Sequence, residues 1–345
     1  MSKIPSLGAK RLRDRHRWSK YLLATAASAS MALFAAPAQA APTSILFIGN
    51  SFTYGALASV QNWGADTVTD LNGTNIGGVP ALFKAFTVQA GLDYAVSLET
   101  EPGSNLDFHY NNRLGLIDKP WDKVVMHGQS NLDFAAPNDP TKISQYTALL
   151  GSVFQAQNPD VEISLTATWS RADLTFANAS SPWFGAPITQ MGADVHAGYQ
   201  VAAAQNPDVV AYVNPVGLAW NRAFEAGVAD TNPYDDISPG KLNLWASDHY
   251  HASNYGYYLH ALVDFGMITG VDPRSLGGSE TSALALGFSA SEAYALQAIA
   301  WETIQAVSAP VPEPSTWLML AMGGSAMGMV VRRRSRSRRH EHMAV

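Results

Sequence analysis

The sequence ILFIGNSFT, residues 45–53, decides the fold of this 345-residue chain. Its first four residues form an apolar run of the length of a buried strand, and Gly49 and Asn50 are residues that end such a run. Ser51 then occupies the first turn of a helix, where serine and asparagine are also common as capping residues. The stretch therefore predicts a strand-to-helix turn that presents the hydroxyl of Ser51 at the edge of a sheet.

A second polar motif, Asp248-His249-Tyr250-His251, lies about two hundred residues later. A serine hydroxyl needs a base within hydrogen-bond reach and a third group that orients the base. Asp248 and His251 are three residues apart, so both can point to one side of a turn and serve Ser51 in these roles, whereas His249 is out of phase with them. A metal site is the alternative, but no further His/Asp cluster at ligand spacing completes it.

The hydrophobic periodicity predicts an α/β domain, because short apolar runs alternate with helical stripes. The continuous apolar character of the runs fits parallel strands that are buried on both faces. The predicted strands are 44–48, 94–98, 123–127, 162–166 and 209–213, and the predicted helices are 79–90, 141–157, 187–205, 254–267 and 290–307.

Four long loops, 102–121, 132–140, 171–185 and 226–247, separate these elements, and we expect them to build the site at the carboxyl ends of the strands. Their aromatic residues could line a substrate groove or could pack as ordinary hydrophobic side chains. The aromatic candidates are Trp169, Trp183, Phe184, Trp220 and Tyr234.

Both ends of the chain have the features of targeting signals. Residues 1–20 carry seven Lys/Arg, and an apolar run and Ala38-Gln39-Ala40 follow, which predicts a signal peptide over residues 1–40. The last residues, 310–345, contain Pro312-Glu313-Pro314, an apolar segment at 316–331 and an arginine cluster. An apolar helix of that length spans roughly 24 Å, shorter than a hydrocarbon core of about 30 Å. Between the two signals, residues 41–309 form a single predicted domain.

Composition restricts the partners of this domain. Without the two signals the chain holds nine Lys/Arg against 25 Asp/Glu, which gives a net charge of −16. Such a surface repels nucleic acid, so a neutral or weakly charged substrate is expected. The chain contains no cysteine, and the stability of an exported domain must then come from a hydrophobic core rather than from disulfides.

The three ordered elements at the C-terminus resemble the PEP-CTERM sorting signal. The resemblance covers about the last 35 residues and implies export by a Gram-negative bacterium and removal of the tail by an exosortase, in a setting of exopolysaccharide genes. The arginine cluster keeps its end of the helix in the cytoplasm and leaves the domain outside. The chain is thus expected in the periplasm, at the cell surface or in the matrix, after a transient stay in the inner membrane.

The motifs inside the domain resemble the SGNH (GDSL-like) hydrolase superfamily over most of residues 43–268. The resemblance rests on GNSFT after the first strand, a glycine after the second, a polar cluster after the third and Asp-x-x-His near the end. It implies a three-layer α/β/α, flavodoxin-like fold with a parallel five-stranded sheet, and a catalytic triad of Ser51, Asp248 and His251 that needs no cofactor or metal. Asn50 stands where the family usually has Asp.

The resemblance also implies an oxyanion hole made by the Ser51 amide, the Gly103 amide and a side-chain amide after the third strand. This chain has HGQSN, residues 127–131, in place of the family's Gly-x-Asn-Asp motif, so Gln129 or Asn131 could be the third donor. The same string resembles the nucleophile motif of sialate O-acetylesterase-like enzymes, which would make Ser130 the nucleophile. In those enzymes the motif follows the first strand, and the topology therefore favours Ser51.

These observations predict an exported esterase that deacylates, and specifically deacetylates, carbohydrate or exopolysaccharide, with signal peptidase and exosortase as processing partners. A surface protein that binds polysaccharide without turnover is one alternative. A lipase or thioesterase is another, although loop 226–247 is acidic and lacks the apolar character of a lid.

Overall fold

The structure is a computed structural model that describes residues 41–308. The predicted signal peptide and the predicted tail, with its apolar segment 316–331, lie outside these residues. Within the described part of the chain, no helix is long and apolar enough to cross a membrane.

A parallel sheet of six strands forms the centre of the domain, in the order β2-β3-β1-β4-β5-β6. The predicted α/β class is confirmed, and each of the five predicted strands is present. The strands are β1 (Thr43–Gly49), β2 (Thr69–Asp70), β3 (Tyr94–Thr100), β4 (Lys123–Met126), β5 (Glu162–Thr166) and β6 (Val210–Asn214).

The additional strand, β2, has two residues and pairs with Ser97 and Leu98 at the edge of the sheet. Periodicity did not predict it, because two polar residues carry no apolar run. Without β2, the remaining five strands have the flavodoxin-like order in which the first strand lies between the second and the third.

Helices cover both faces of the sheet. The α-helices are α1 (Ser51–Tyr54), α2 (Gly78–Gln89), α3 (Leu106–Asn112), α4 (Leu114–Ile117), α5 (Thr141–Gln157), α6 (Ile188–Gln205), α7 (Val216–Glu225), α8 (Asn254–Thr269), α9 (Thr281–Ala285) and α10 (Ala290–Ser308). Short 3-10 helices lie at Ser59–Gln61, Ala65–Thr67 and Pro273–Leu276, and a π-helical turn lies at Asp173–Ala177.

The side chains of β1 divide the core between the two faces, because successive residues of a strand point in opposite directions. Ile45 and Phe47 pack in a cluster with α2, α7, α8 and α10. Leu46 and Ile48 pack in a second cluster with α3, α4, α5 and α6. The three-layer α/β/α arrangement is thus already encoded in the apolar run that opens the domain.

Three of the aromatic residues considered for a substrate groove belong instead to the core. Trp169 and Trp220 are fully buried and stack with their ring centroids 4.8 Å apart, and Trp183 is 3% exposed. Of the five aromatic candidates, only Phe184 and Tyr234 are exposed.

Gly49 at the end of β1 is required by a close approach. A Cβ at this position would lie 2.2 Å from Thr53 Oγ1 and 2.4 Å from His127 Nε2. These two atoms are hydrogen-bonded to each other at 2.6 Å, so a side chain at residue 49 would have to break that contact.

We predict that Gly49→Ala lowers the free energy of unfolding by about 1–3 kcal/mol, the usual cost of overpacking. Gly115→Ala is the matched control, because a Cβ there meets no atom within 4 Å. Urea denaturation of both variants measures the difference. Equal stability of the two variants would contradict the close approach at Gly49.

Candidate active site

Ser51 is the first residue of α1, directly after β1. The residue is only 5% exposed, so little of its side chain is accessible to solvent. Within residues 41–308, neither its hydroxyl nor its backbone N–H makes a hydrogen bond. The Tyr257 hydroxyl, from α8, lies 3.2 Å from the Ser51 carbonyl oxygen and 3.1 Å from that of Ala56, and so holds the turn on its other side.

Asp248 and His251 meet as the sequence predicts. Asp248 Oδ2 lies 2.6 Å from His251 Nδ1, and Asp248 Oδ1 accepts the backbone N–H of His251 at 2.9 Å. Burial alone would raise the pKa of the Asp248 carboxyl, but the hydrogen bonds from His251 and from the Tyr250 amide outweigh it, so this pKa is lowered. Asp248 is therefore a carboxylate that fixes the ring of His251 through Nδ1.

The Nε2 atom of His251 is left without a hydrogen bond in the described part of the chain. Phe52, the neighbour of Ser51, packs against His251, with the two ring centroids 5.7 Å apart. This contact brings the Ser51 turn close to the loop that carries Asp248 and His251. The structure does not close a hydrogen bond between Ser51 and His251. Such bonds are often long in unliganded enzymes and tighten when substrate binds.

Asn50 connects three strand ends through its side chain. Its Oδ1 accepts the N–H of Phe52 at 3.1 Å, and its Nδ2 donates to the carbonyl oxygens of Ser104 and Gly128, each at 3.0 Å. An aspartate could accept the first bond but could not donate the other two. Asn50 therefore links the loops after β3 and β4 to the Ser51 turn, which an Asp could not do. Sequence reasoning missed this role because Ser104 and Gly128 are far from Asn50 along the chain.

Two backbone amides are free beside the nucleophile candidate. Gly103 is exposed, has a φ of 69°, and its N–H, like that of Ser51, has no hydrogen-bond partner within residues 41–308. A left-handed conformation of this kind favours glycine. Open backbone N–H groups are the elements from which an oxyanion hole is built.

The two candidates for the third donor differ in their contacts. The amide of Gln129 donates from Nε2 to the Gly103 carbonyl at 3.0 Å and accepts the Phe134 N–H at 2.8 Å, so it braces the Gly103 loop. The side chain of Asn131 is buried and makes no hydrogen bond within the described residues. Asn131 is therefore the candidate with an uncommitted amide.

Ser130 has surroundings that differ from those of Ser51. It is fully buried after β4, and its Oγ lies beside the Tyr250 phenol without an aligned hydrogen bond. The nearby His127 is bound to Thr53 through Nε2 and to the Gly128 carbonyl through Nδ1. Burial lowers the pKa of His127 to about 3, so this ring is neutral and structural.

The rim of the site is aromatic. The Arg171 guanidinium lies 3.6 Å from the centroid of the Tyr250 ring, and Asp173 holds this arginine through a bidentate ion pair. Tyr234 packs on His249 with centroids 4.1 Å apart and on Phe176 at 6.1 Å. Sequence reasoning included Tyr234 but missed Arg171 and Phe176, whose positions depend on how two separate loops meet.

No candidate metal site competes with this arrangement among residues 41–308, where no group of three or more His, Cys, Asp or Glu side chains could hold an ion. A cavity of about 870 Å³ lies elsewhere, between α6, α7 and α10, and includes Arg222, Trp301 and Glu302 in its lining. None of the predicted site residues belongs to it.

Comparison with known proteins identifies the C-terminus. The family model of the PEP-CTERM protein-sorting motif matches residues 310–334. The chain carries a PEP-CTERM sorting motif. The predicted sorting signal is confirmed, and it indicates export with membrane anchoring during sorting and processing by an exosortase. No curated protein matches the chain.

Several solved structures resemble the domain. A DUF4886 family protein from Bacteroides uniformis has a TM-score of 0.51 at 16% identity, over 76% of this chain and 94% of that protein. A lipase/acylhydrolase from Enterococcus faecalis reaches 0.42 at 15%, over 66% and 96%, and a two-domain esterase active on acetylated mannans reaches 0.41 at 15%, over 66% and 49%. Only the first exceeds 0.5, and at this identity it shows a shared fold alone.

We predict that Asn50→Asp lowers the free energy of unfolding by about 1–3 kcal/mol, because it leaves two carbonyl groups without donors. The labelling of Ser51 by a fluorophosphonate probe should slow at least about tenfold as the turn shifts. Asn206→Asp is the control, since Asn206 Nδ2 also donates to two carbonyls, of Ser144 and Ala202, but on α5 and α6. Equal labelling rates of the two variants would contradict the role of Asn50.

Proposed function

We propose that the domain is a serine esterase of the SGNH type that acts after export. One observation carries the proposal: Asp248 binds Nδ1 of His251 while Nε2 has no hydrogen bond within residues 41–308, and the His251 ring centroid lies 5.7 Å from that of Phe52, the neighbour of Ser51. This is the orientation that a general base needs if it is to take a proton from a serine hydroxyl. The fold and the two open amides at Ser51 and Gly103 are consistent with it.

In the proposed reaction, Ser51 Oγ attacks the carbonyl carbon of an ester and His251 Nε2 takes the hydroxyl proton. The oxyanion of the tetrahedral intermediate is held by the amides of Ser51 and Gly103, with Asn131, or Gln129 through its second amide proton, as side-chain donor. His251 then returns the proton to the leaving alcohol, which gives an acyl-serine. Water, activated by the same imidazole, releases the acid and restores Ser51.

The proposed substrate is an acylated, and specifically an acetylated, carbohydrate. Phe176 and Tyr234 are exposed beside His249, and flat apolar faces of this kind suit sugar rings. The net charge of −16 between the signals favours a neutral polymer over an anionic one. The PEP-CTERM motif supports a site of action outside the cytoplasm, where exopolysaccharide is found.

A polysaccharide-binding protein without turnover is the second candidate. The absence of a hydrogen bond between Ser51 and His251 within residues 41–308 is also compatible with this candidate, because a triad that does not close on substrate binding cannot transfer the proton. The same aromatic rim would then bind the polymer without hydrolysis.

We predict that a fluorophosphonate probe labels the mature domain and Ser130→Ala, but not Ser51→Ala. Ser130→Ala is the matched control, because it removes a buried hydroxyl of the neighbouring strand end. Mass spectrometry of the labelled peptide locates the probe. Labelling lost only in Ser130→Ala would move the nucleophile, and no labelling of the wild type would favour the binding protein.

We predict that the wild type releases acetate from acetylated oligosaccharides and that Asp248→Asn lowers kcat by about four orders of magnitude, as loss of the orienting carboxylate does in other triads. Acetate is measured enzymatically. A preference for long-chain acyl esters over acetylated sugar would support the lipase alternative instead.

A further inference from the structure

A serine, a histidine and a glutamate, separate from the proposed triad, form a hydrogen-bonded triplet next to Gly103. Glu99 Oε2 is hydrogen-bonded to His109 Nδ1, and His109 Nε2 lies 2.8 Å from Ser104 Oγ. Glu99 is the penultimate residue of β3, His109 lies on α3, and Ser104 lies in the loop between them. The order of these side chains is that of a catalytic triad. Neither the sequence motifs nor the proposed reaction gives these three residues a role.

This triplet lacks the open groups found at Ser51. Glu99 and His109 are fully buried, and the Ser104 N–H is donated to the Glu101 carbonyl at 3.3 Å, so Ser104 has no free backbone amide for an oxyanion. The Ser104 hydroxyl also contacts the Glu101 carbonyl oxygen at 2.9 Å. With Nδ1 of His109 donating to the Glu99 carboxylate, the neutral ring accepts at Nε2, so the single proton of Ser104 is donated to Nε2 when the three side chains are hydrogen-bonded in series. We call the triplet of Glu99, His109 and Ser104 the strut, because it holds the Gly103–Ser104 segment and does not act as a second nucleophile.

The carboxylate that anchors the strut is itself held from two directions. Asn72 Nδ2 donates to Glu99 Oε1 at 3.2 Å. Arg113 Nε lies 3.3 Å from the same oxygen, without an aligned hydrogen bond, and Arg113 Nη2 donates to Glu101 at 2.8 Å. Both oxygens of the buried Glu99 carboxylate therefore have partners, as a buried charge requires.

The other end of the strut reaches the candidate active site. Ser104 is the residue after Gly103, whose open amide is the proposed oxyanion donor, and the Ser104 carbonyl accepts the Asn50 amide that precedes Ser51. The Gly103 carbonyl is held separately by Gln129. The Gly103–Ser104 segment is thus fixed by three side chains, and only the strut leads to a buried charge.

We propose that Glu99, His109 and Ser104 are positioning residues that hold the Gly103 amide at the distance and angle needed for the oxyanion. The proposal rests on the proposed esterase function. Hydrogen-bond donors that are set before reaction stabilise the transition state without reorganisation, so loss of the strut affects the transition state more than the bound substrate. The measurable signature is a fall in kcat at an unchanged KM.

The test compares Ser104→Ala with Ser144→Ala, in steady-state hydrolysis of p-nitrophenyl acetate normalised to probe-labelled Ser51. Ser144 is the control, because it is a buried serine whose hydroxyl bonds Gln205 on α6, away from the site. We expect Ser104→Ala to lower kcat about tenfold, a part of what loss of a whole donor costs, with KM within a factor of about two. Ser104→Thr keeps the hydroxyl and should restore most of kcat.

A second variant covers the case in which Ser104→Ala fails to fold. His109→Gln keeps an amide donor inside the strut but breaks its bond to Glu99, and it should also lower kcat and not KM. An unchanged kcat in a folded Ser104→Ala or His109→Gln protein, or an equal fall in Ser144→Ala, would overturn the strut while Ser51→Ala remains inactive. A wild type without hydrolysis or labelling would overturn the esterase function, and the strut with it.

Discussion

The side-chain amide of Asn50 is the interaction on which the arrangement of the site depends. β1 lies between β3 and β4, so the loops that leave these three strands meet at one edge of the sheet. Asn50 donates to one carbonyl from each outer loop and caps the helix that starts at Ser51. A single planar group therefore sets the distance between three loops that are covalently independent at this edge.

Much of the fold follows from local pattern. The five longer strands could be predicted because each is short and rich in apolar or β-branched residues. Helix α5, over Thr141–Gln157, could be predicted because its apolar stripe has the helical period. The pattern could not separate core tryptophans from groove tryptophans. Trp169 and Trp220 are buried by each other and by residues distant in sequence, such as Phe52, Trp245 and Tyr257. The pattern also missed β2, which is held by pairing alone.

The candidate site divides in the same way. Asp248 and His251 are three residues apart, so their contact is local and their spacing predicts it. The bonds of Asn50 to Ser104 and Gly128 join residues 54 and 78 positions apart, and nothing in the local sequence indicates them. The burial of Ser130 is likewise a property of the packed sheet, and residue type alone does not reveal it.

The shortness of α1 has an electrostatic consequence. A helix of four residues aligns too few peptide dipoles to build the partial positive charge that a long helix has at its N-terminus. Negative charge that develops beside Ser51 would therefore be stabilised by individual N–H groups and hardly by a long-range field. Stabilisation of this kind decreases steeply with distance and angle, so displacements of a few tenths of an ångström in the neighbouring loops would change the chemistry at this edge of the sheet.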